Sequence, residues 1–431
     1  MELGKLLSAP SAAPLSIGRF VSLVFLGSAF GVIVTFARLP RRAWDVIYAE
    51  DGAVFLEDWL IRPSVALLWE PYDGYLHLIP RIISSGVSLL PAAWWALAST
   101  AGAGAVTGAV GALSSVAARH LIQSRFITFA VGLVPLILPF AGVEALGNLA
   151  NVHWYMLYLA FWIMFVSSTG TCRPILWGVV MFAATTTEIQ VVILLPILAL
   201  LEWRHRGHHL HTLAGVGIGA VAQVVSVLAT GHARGDGLGD IGSAAKGYLA
   251  NVVLGSISGN QARISWIIEI TGWWMPALAL VLCLGISVVL LRTEPALRIA
   301  GASALLASAA TWFLSFLINN YASLSYDVPP ISLIRWGTGA TLLLWAWLLI
   351  TVEGLAQRGV AHRRVAGMLV ALAIGVAAAG SPALVPRRDI GSTWGEQVAA
   401  ARVLCRDGKV IELHQAPGDW AMRVPCHRVR S

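Results

Sequence analysis

The sequence contains an uncharged apolar run between Phe20 and Ala37, reading F-V-S-L-V-F-L-G-S-A-F-G-V-I-V-T-F-A. A helix needs about 20 apolar residues to cross the hydrocarbon core of a bilayer, so this run is long enough to span a membrane. No small-residue cleavage pattern follows it. We therefore interpret the run as an uncleaved first helix and not as a signal peptide.

Similar apolar runs recur along the 431 residues, of which 57% are hydrophobic and 12% are charged. Soluble domains contain about 25% charged residues, and a chain in lipid must satisfy its backbone polar groups within helices or closed barrels. The sequence therefore predicts an all-α polytopic membrane protein with about 11 transmembrane helices. The predicted spans are residues 20–38, 92–118, 126–141, 153–169, 175–184, 189–203, 212–230, 272–291, 299–317, 337–352 and 365–385.

The distribution of charge predicts the orientation of these helices. Lys and Arg are denser in the short loops that this arrangement places in the cytosol, as the positive-inside rule requires. The N-terminus is then cytosolic, and the chain divides into a membrane domain, extracytoplasmic loops and a small soluble extracytoplasmic tail. The predicted ranges are 1–385 for the membrane domain, 39–91, 231–270 and 319–336 for its outer loops, and 386–431 for the tail.

Two further inferences follow, one from the length of a segment and one from the net charge. Residues 78–91 are too short and too broken to span, so we interpret them as an interfacial helix on the outer surface. The net charge of +7 is explained by the cytosolic loops, and no basic stripe interleaves with aromatic residues. The sequence therefore indicates a lipid bilayer as partner and excludes a nucleic-acid-binding protein.

The four cysteines fall into two groups. Cys405 and Cys426 lie in the polar tail, where a disulfide is expected if the tail is outside the cytosol. Cys172 and Cys283 lie in or beside apolar segments and are interpreted as inert packing residues. No metal-ligand spacing is present among the cysteines.

An acidic stretch, I-Y-A-E-D-G-A-V-F-L-E-D-W, runs from Ile47 to Trp59 shortly after the first helix. It holds two Glu-Asp pairs in a chain with few charges. Ionisable groups near membrane depth are functional candidates, and a carboxylate there can act as a general base if burial keeps its pKa useful. Asp51, followed by the turn-permitting Gly52, is the strongest candidate, with a solvated loop acid as the alternative. Glu57 and Asp58 are interpreted as support or acceptor contacts.

The predicted arrangement resembles the GT-C superfamily of integral-membrane glycosyltransferases. It consists of one crossing, a long outer loop that opens with Glu50-Asp51, an interfacial helix and many further crossings. Members carry a modified D-x-D motif in the first outer loop and use a polyprenyl-phosphate sugar as donor. The resemblance covers about residues 1–385, and its short motif is matched by Glu50-Asp51. It implies that Asp51 is the catalytic base, with Glu50 beside it.

Other polar residues on the predicted outer side are candidates for substrate binding. The stretch E-P-Y-D-G-Y-L-H-L-I-P-R (Glu70–Arg81) places Asp73, His77 and Arg81 at intervals of four, as on one helix face, and Tyr75 could help to shape a sugar pocket. An interfacial aromatic anchor is the alternative for this stretch. Further candidates at predicted outer helix ends or turns are His153, Glu188 and Asp327.

A phosphate leaving group requires a cation. Arg binds phosphate in a bidentate way and Lys acts as a point charge. The predicted outer side offers four such residues, and the sequence does not choose among Arg81, Lys246, Arg263 and Arg335.

The expected function is transfer of one sugar from a polyprenyl-phosphate donor to a glycan or glycolipid acceptor on the outer membrane face. The alternative is a transporter or flippase of a lipid-linked sugar, since paired broken spans and outer acids also suit that class. A bound divalent cation, Mg²⁺ or Mn²⁺, is compatible with the resemblance but is not required by any motif. The sugar, its linkage and the acceptor are left open.

Overall fold

A computed structural model describes residues 16–142, 144–167, 174–204, 206–230, 240–288, 295–318, 326, 330–380, 388, 392–406 and 408–430. Seven helices in these ranges are long and apolar enough to cross a membrane, as expected for an all-α membrane protein. They are Ile17–Arg38, Ala92–Ala118, Arg125–Gly142, Leu210–Thr230, Pro295–Ile318, Gly337–Ala356 and Val360–Gly380. An eighth is counted if Gln261–Thr271 and Trp274–Ser287, which meet at 97°, form one broken span.

The α-helices are α1 (Ile17–Arg38), α2 (Arg41–Trp44), α3 (Glu57–Ile61), α4 (Leu78–Ser88), α5 (Trp95–Ala118), α6 (Arg125–Ile137), α7 (Val152–Ile163), α8 (Pro174–Thr185), α9 (Leu195–Arg204), α10 (Leu210–Thr230), α11 (Ile241–Tyr248), α12 (Gln261–Thr271), α13 (Trp274–Ser287), α14 (Pro295–Ile318), α15 (Gly337–Ala356), α16 (Val360–Gly380), α17 (Trp394–Leu404) and α18 (Cys426–Arg430). Strands β1 (Val410–His414) and β2 (Ala421–Pro425) pair antiparallel, with Ile411 opposite Val424. Short π-helical turns occur at Asp51–Leu56 and Leu249–Val253. Short 3₁₀ helices occur at Val65–Trp69, Ala92–Trp94, Pro139–Gly142, Ile189–Leu194 and Leu254–Ser256.

The first helix packs closely against α5 through small residues. A Cβ added to Gly108 would lie 2.0 Å from the Gly27 backbone oxygen, and one added to Gly31 would lie 2.3 Å from the Gly104 backbone oxygen. Glycine at these positions therefore lets the two backbones approach, as is common between helices in membranes. This contact fixes the start of the loop after α1 beside the start of α5.

Residues 241–271 differ from the expected loop because they are largely helical. Asp240 caps α11 by accepting a hydrogen bond from the Ser243 N–H at 2.6 Å. Asn260 caps α12 in the same way through the Arg263 N–H at 3.0 Å. Such side-chain caps satisfy the N–H groups at the start of a helix that have no backbone partner. Asp240 and Asn260 are therefore local signals of helix starts, although the polar composition of the segment predicts a loop.

Helix α4, within the predicted interfacial segment 78–91, has 11 residues and is about 16 Å long, which is too short to cross a bilayer. It packs against the acidic stretch rather than lying apart from it. The Trp59 indole N–H donates to the Arg81 backbone oxygen on this helix at 3.1 Å.

The C-terminal segment shares a core with the acidic stretch and is not a separate tail. A disulfide joins Cys405 to Cys426, and Arg423 pairs with Glu57, with 2.7 Å between Nη2 and Oε1. Because the two segments fold against each other, they lie on the same side of any membrane. The buried side chains of this common core include Ile47, Leu56, Leu60, Trp95, Trp394, Val398, Met422 and Val424.

Candidate functional site

A cavity of about 520 Å³ lies where the loop after α1 (residues 39–91) meets α7, α10 and α14. Its polar lining comes mainly from that loop, from the start of α7 and from the segment before α15. These residues include Glu50, Tyr72, Asp73, Tyr75, His77, Asn151, His153, Glu188, Gln190 and Arg335. Its apolar lining comes from α10, α14 and the neighbouring segments, and includes Ile189, Ile193, Val227, Leu314, Ile318 and Trp336.

A tight turn carries Asp73 to the cavity. Tyr72 and Tyr75 exchange backbone hydrogen bonds of 2.9 and 3.2 Å, and Asp73 and Gly74 have φ values of 50° and 84°. Positive φ at both central residues is the two-residue turn that favours Asp-Gly. The Gln223 side chain on α10 accepts from the Leu76 N–H at 2.8 Å and so fixes the turn against the helix bundle.

Arg335 is held at the cavity by two carboxylates. Its Nη2 lies 3.1 Å from Glu50 Oε1, and its Nη1 lies 3.1 Å from Glu144 Oε1. Burial lowers the pKa of Arg335, but Glu50 and Glu144 outweigh burial and raise it above the ordinary value. The guanidinium is therefore a permanent positive charge. Arg335 is also the one Lys or Arg among the described residues that line the cavity.

Glu50 and Asp51 have different environments although they are adjacent. Glu50 lines the cavity, is 4% exposed, and has a second carboxylate oxygen that no described residue hydrogen-bonds. Asp51 is 2% exposed and is not part of the described lining. Its Oδ2 accepts from the Leu149 N–H and its Oδ1 from the Ala150 N–H, both at 2.8 Å. Asp51 thus braces the wall behind Ala150.

The pKa of Asp51 is raised from 3.8 to about 7 by burial, against the opposing effect of the two backbone N–H groups. A carboxyl with such a pKa suits base chemistry. The geometry does not, however, bring it to the cavity as expected for a catalytic base. Neighbouring residues of a helical turn point about 100° apart, so the sequence alone could not tell which of the two acids faces a substrate.

Side chains from three segments of the chain meet at the cavity. His153 Nδ1 contacts Glu188 Oε2. The His77 ring lies 5.8 Å from the His153 ring and 4.3 Å from the Tyr75 ring, measured between centroids. Neither ring nitrogen of His77 makes a hydrogen bond of good geometry to a described residue, and burial lowers the pKa of His77 well below its ordinary value. His77 is thus a neutral, buried imidazole beside the cavity.

Several predicted site residues lie elsewhere. Arg81 is 1% exposed, pairs with Asp58 at 3.0 Å and lies over the Phe55 ring, so it holds the loop after α1 together. The prediction that it shares a helix face with Asp73 and His77 is wrong, because α4 begins only at Leu78. Neither Lys246 nor Arg263 is among the described lining residues. Asp327 lies outside the described residues.

Sequence reasoning missed Glu144 and Gln190. Glu144 is an isolated charge in a long apolar region, and that isolation is a signal that could have identified it. Gln190 lines the cavity and has a buried side-chain oxygen that no described residue hydrogen-bonds. Its sequence context, an otherwise apolar segment after Glu188, carries no comparable signal.

The C-terminal segment positions the acidic stretch. The Ala49 N–H donates to the Ala416 oxygen at 2.6 Å, and the Ala416 N–H donates to the Ile47 oxygen at 3.2 Å. The Gln415 side chain accepts from the Ala53 N–H at 3.3 Å. Ala49 has a φ of 38°, which a residue with a Cβ adopts only when its surroundings impose it. The contacts with Gln415 and Ala416 supply that constraint immediately before Glu50.

No group of three or more His, Cys, Asp or Glu side chains in the described part of the chain is placed to hold a metal ion. The arrangement instead offers one fixed cation, several carboxylates and two imidazoles around a partly apolar cavity. In comparisons with known proteins, no family model, curated protein or solved structure matches the chain.

Proposed function

We propose that this protein is a membrane glycosyltransferase of GT-C type. It transfers a sugar from a polyprenyl-phosphate donor to a glycan or glycolipid acceptor on the outer face of the membrane. The observation that carries the proposal is Arg335, a permanent cation at a cavity that also has apolar walls. A lipid phosphate needs both features at one place.

The donor phosphate binds Arg335 in this proposal. Arg335 is bound by Glu50 and Glu144 through one oxygen each, and its side chain keeps 35% of its surface exposed. An exposed guanidinium edge can take phosphate oxygens, and its planar fork suits them better than an ammonium group does. The positive charge then stabilises the polyprenyl phosphate as it leaves.

The isoprenoid chain lies along the apolar wall. Leu314 and Ile318, on a helix long enough to span a membrane, line the cavity and are 43% and 41% exposed. Contact with these side chains would keep the lipid part of the donor out of water. The wall continues to Trp336, the residue after Arg335, so the phosphate and the first isoprene unit would meet the protein side by side.

The sugar occupies the polar part of the cavity. The volume of about 520 Å³ falls in the range of small-molecule sites, roughly 300–1,000 Å³. Sugar hydroxyls both donate and accept hydrogen bonds, and the carboxylates, amides and imidazoles of the polar lining include partners of both kinds. Tyr75 and Trp154 supply aromatic surface beside them.

The orientation follows from the C-terminal disulfide. Disulfides persist in oxidising compartments, and the segment with Cys405–Cys426 packs on the acidic stretch that leads to Glu50. The cavity and this segment therefore face outward together in our proposal, with eleven crossings and a cytosolic N-terminus. Asp51 supports the wall of the cavity and is not the residue that takes the acceptor proton.

A reconstituted assay tests the function. The purified protein in liposomes is supplied with a panel of radiolabelled polyprenyl-phosphate sugars and a mixture of glycan and glycolipid acceptors, with and without EDTA. The proposal expects sugar on an acceptor and free polyprenyl phosphate as co-product. Movement of intact donor between leaflets without transfer would instead identify a flippase and contradict the proposal.

A further inference from the structure

The side chains of His153 and Glu188 form a pair in the cavity separate from the Arg335 ion pairs. His153 Nδ1 contacts Glu188 Oε2, while Glu188 Oε1 accepts a hydrogen bond from the Gln190 N–H at 2.8 Å. Both carboxylate oxygens are therefore engaged. Glu188 caps the 3₁₀ helix Ile189–Leu194, and this cap fixes the carboxylate in place. A carboxylate held in this way can orient an imidazole.

The other ring nitrogen of His153 is left for a ligand. His153 lies in the first turn of α7 and lines the cavity, and its ring contacts the neighbouring Trp154 ring at a tilt of 39°, with 4.2 Å between centroids. Since Glu188 engages Nδ1, the ring presents Nε2 as its remaining polar atom, and Nε2 has no hydrogen bond to any described residue. An imidazole oriented by a carboxylate and open at its second nitrogen is the usual arrangement of a general base.

We propose that His153 is the general base of the transfer reaction and that Glu188 is its positioning residue. The assignment rests on the proposed glycosyltransferase function. The acceptor hydroxyl gives its proton to His153 Nε2, and its oxygen forms a bond to the anomeric carbon of the donor sugar. The bond between that carbon and the phosphate oxygen breaks, and its electron pair leaves with the polyprenyl phosphate held by Arg335. Glu188 stabilises the imidazolium.

The other titratable groups are less suited to this step. Glu50 is committed to Arg335, Asp73 is solvent-exposed, and Asp51 lies behind the wall. His77 has no carboxylate partner among the described residues, and burial makes it a weak base by lowering its pKa. His153 is the one imidazole among the described residues lining the cavity that is paired with a carboxylate.

Three variants test the proposal in the reconstituted transfer assay. His153→Gln removes the base and is expected to lower the transfer rate by about 10²–10⁴-fold. The variant should still retain a radiolabelled polyprenyl-phosphate sugar in nanodiscs, because Arg335 is untouched. Glu188→Gln keeps a polar side chain but loses the charge, and about a tenfold or larger loss is expected. His414→Gln, at an exposed position on β1, is the matched control and should transfer at the wild-type rate.

The pH–rate profile separates a base from a binding residue. With a histidine base, the transfer rate falls at low pH, because a protonated imidazole cannot take the proton of the acceptor hydroxyl. We call this fall the acid limb of the profile. This limb should be absent from the residual activity of His153→Gln. It should persist in Asp51→Asn, whose parent carboxyl has a pKa of about 7 and could otherwise explain the limb. The other titratable or charged groups that line the cavity with His153 are Glu50, Tyr72, Asp73, Tyr75, His77, Glu188 and Arg335.

The outcomes are distinct. Transfer by His153→Gln at the wild-type rate, or loss of donor retention together with transfer, would overturn the assignment of His153 while leaving the transferase function in place. Absence of transfer by the wild-type protein with every donor would overturn the proposed function and this assignment with it. If thermal unfolding shows that His153→Gln does not fold, the Glu188→Gln variant tests the assignment of His153 instead. A wild-type rate and an unchanged acid limb in that variant would then refute the proposal.

Discussion

Glu50 and Arg335 are joined by an ion pair at the cavity, with 3.1 Å between the carboxylate Oε1 and the guanidinium Nη2. The pair links the acidic stretch after the first helix to the segment just before α15, which is far away in the sequence. Glu144 binds the other terminal nitrogen of Arg335 at the same distance. One cation between two carboxylates is thus held in a fixed position for an anionic ligand.

Glu50→Gln is expected to lower the transfer rate by roughly 10- to 100-fold, because a hydrogen bond to a charged group contributes about 1.5–3 kcal/mol. The amide removes one of the two charges that position Arg335. The measurement is the initial rate in the reconstituted assay, with the exposed Glu412→Gln on β1 as control. Wild-type turnover by the Glu50 variant would show that the ion pair has no part in the reaction.

Asp51 should make stability depend on pH. Its folded pKa of about 7 exceeds the ordinary 3.8, so between these values the folded state binds a proton that the unfolded state does not. Its contribution to stability is therefore present in full below pH 3.8 and is lost as the pH rises through about 7. The unfolding temperature of the wild type in nanodiscs should fall from pH 5 to pH 8 relative to that of Asp51→Asn. Parallel curves for the two proteins would refute this account.

Much of the helical framework could be predicted from the sequence. Long apolar runs report membrane helices because composition and length alone carry the signal. The Asp-Gly pair at 73–74 is a local signature of a tight turn, but the spacing of Asp73, His77 and Arg81 led to the prediction of a helix face there instead. The two cysteines of the polar C-terminal segment could likewise be paired from their context.

The composition of the site could not be read in the same way. Arg335 and Glu50 meet only through tertiary packing, so nothing local distinguishes Arg335 from Arg81, Lys246 or Arg263. The choice between Glu50 and Asp51 depends on the direction of one helical turn after Ala49, whose φ is imposed by contacts with the distant C-terminal segment. Long-range contacts of this kind leave no periodic pattern in a single sequence.

The disulfide should be needed for a stable C-terminal segment. Replacing Cys405 and Cys426 together by Ser is expected to destabilise this segment by about 2–4 kcal/mol. Transfer should fall as well, since Gln415 and Ala416 constrain Ala49. Limited trypsin digestion should cleave residues 406–430 faster in this variant than in Cys283→Ser, which removes a half-buried free thiol. Equal digestion rates would argue against a stabilising role for the disulfide.

The proposed topology can be tested by thiol labelling in intact cells. Asp419→Cys, at an exposed turn of the C-terminal segment, should react with a membrane-impermeant maleimide, because this side is proposed to face outward. Val360→Cys, 67% exposed at the start of α16, should react only after permeabilisation. The reverse pattern would place the cavity in the cytosol and would contradict the proposed reaction at the outer face.

The most direct measurement is the transfer rate and donor retention of Arg335 variants. Arg335→Ala should lower transfer on the order of 100-fold or more and abolish retention of the radiolabelled polyprenyl-phosphate sugar, because the phosphate loses its cation. Arg335→Lys should be intermediate, since an ammonium group keeps the charge without the planar fork. Arg263→Ala, outside the described lining of the cavity, should behave as wild type. Undiminished transfer and retention by Arg335→Ala would contradict the central claim that this arginine binds the donor phosphate.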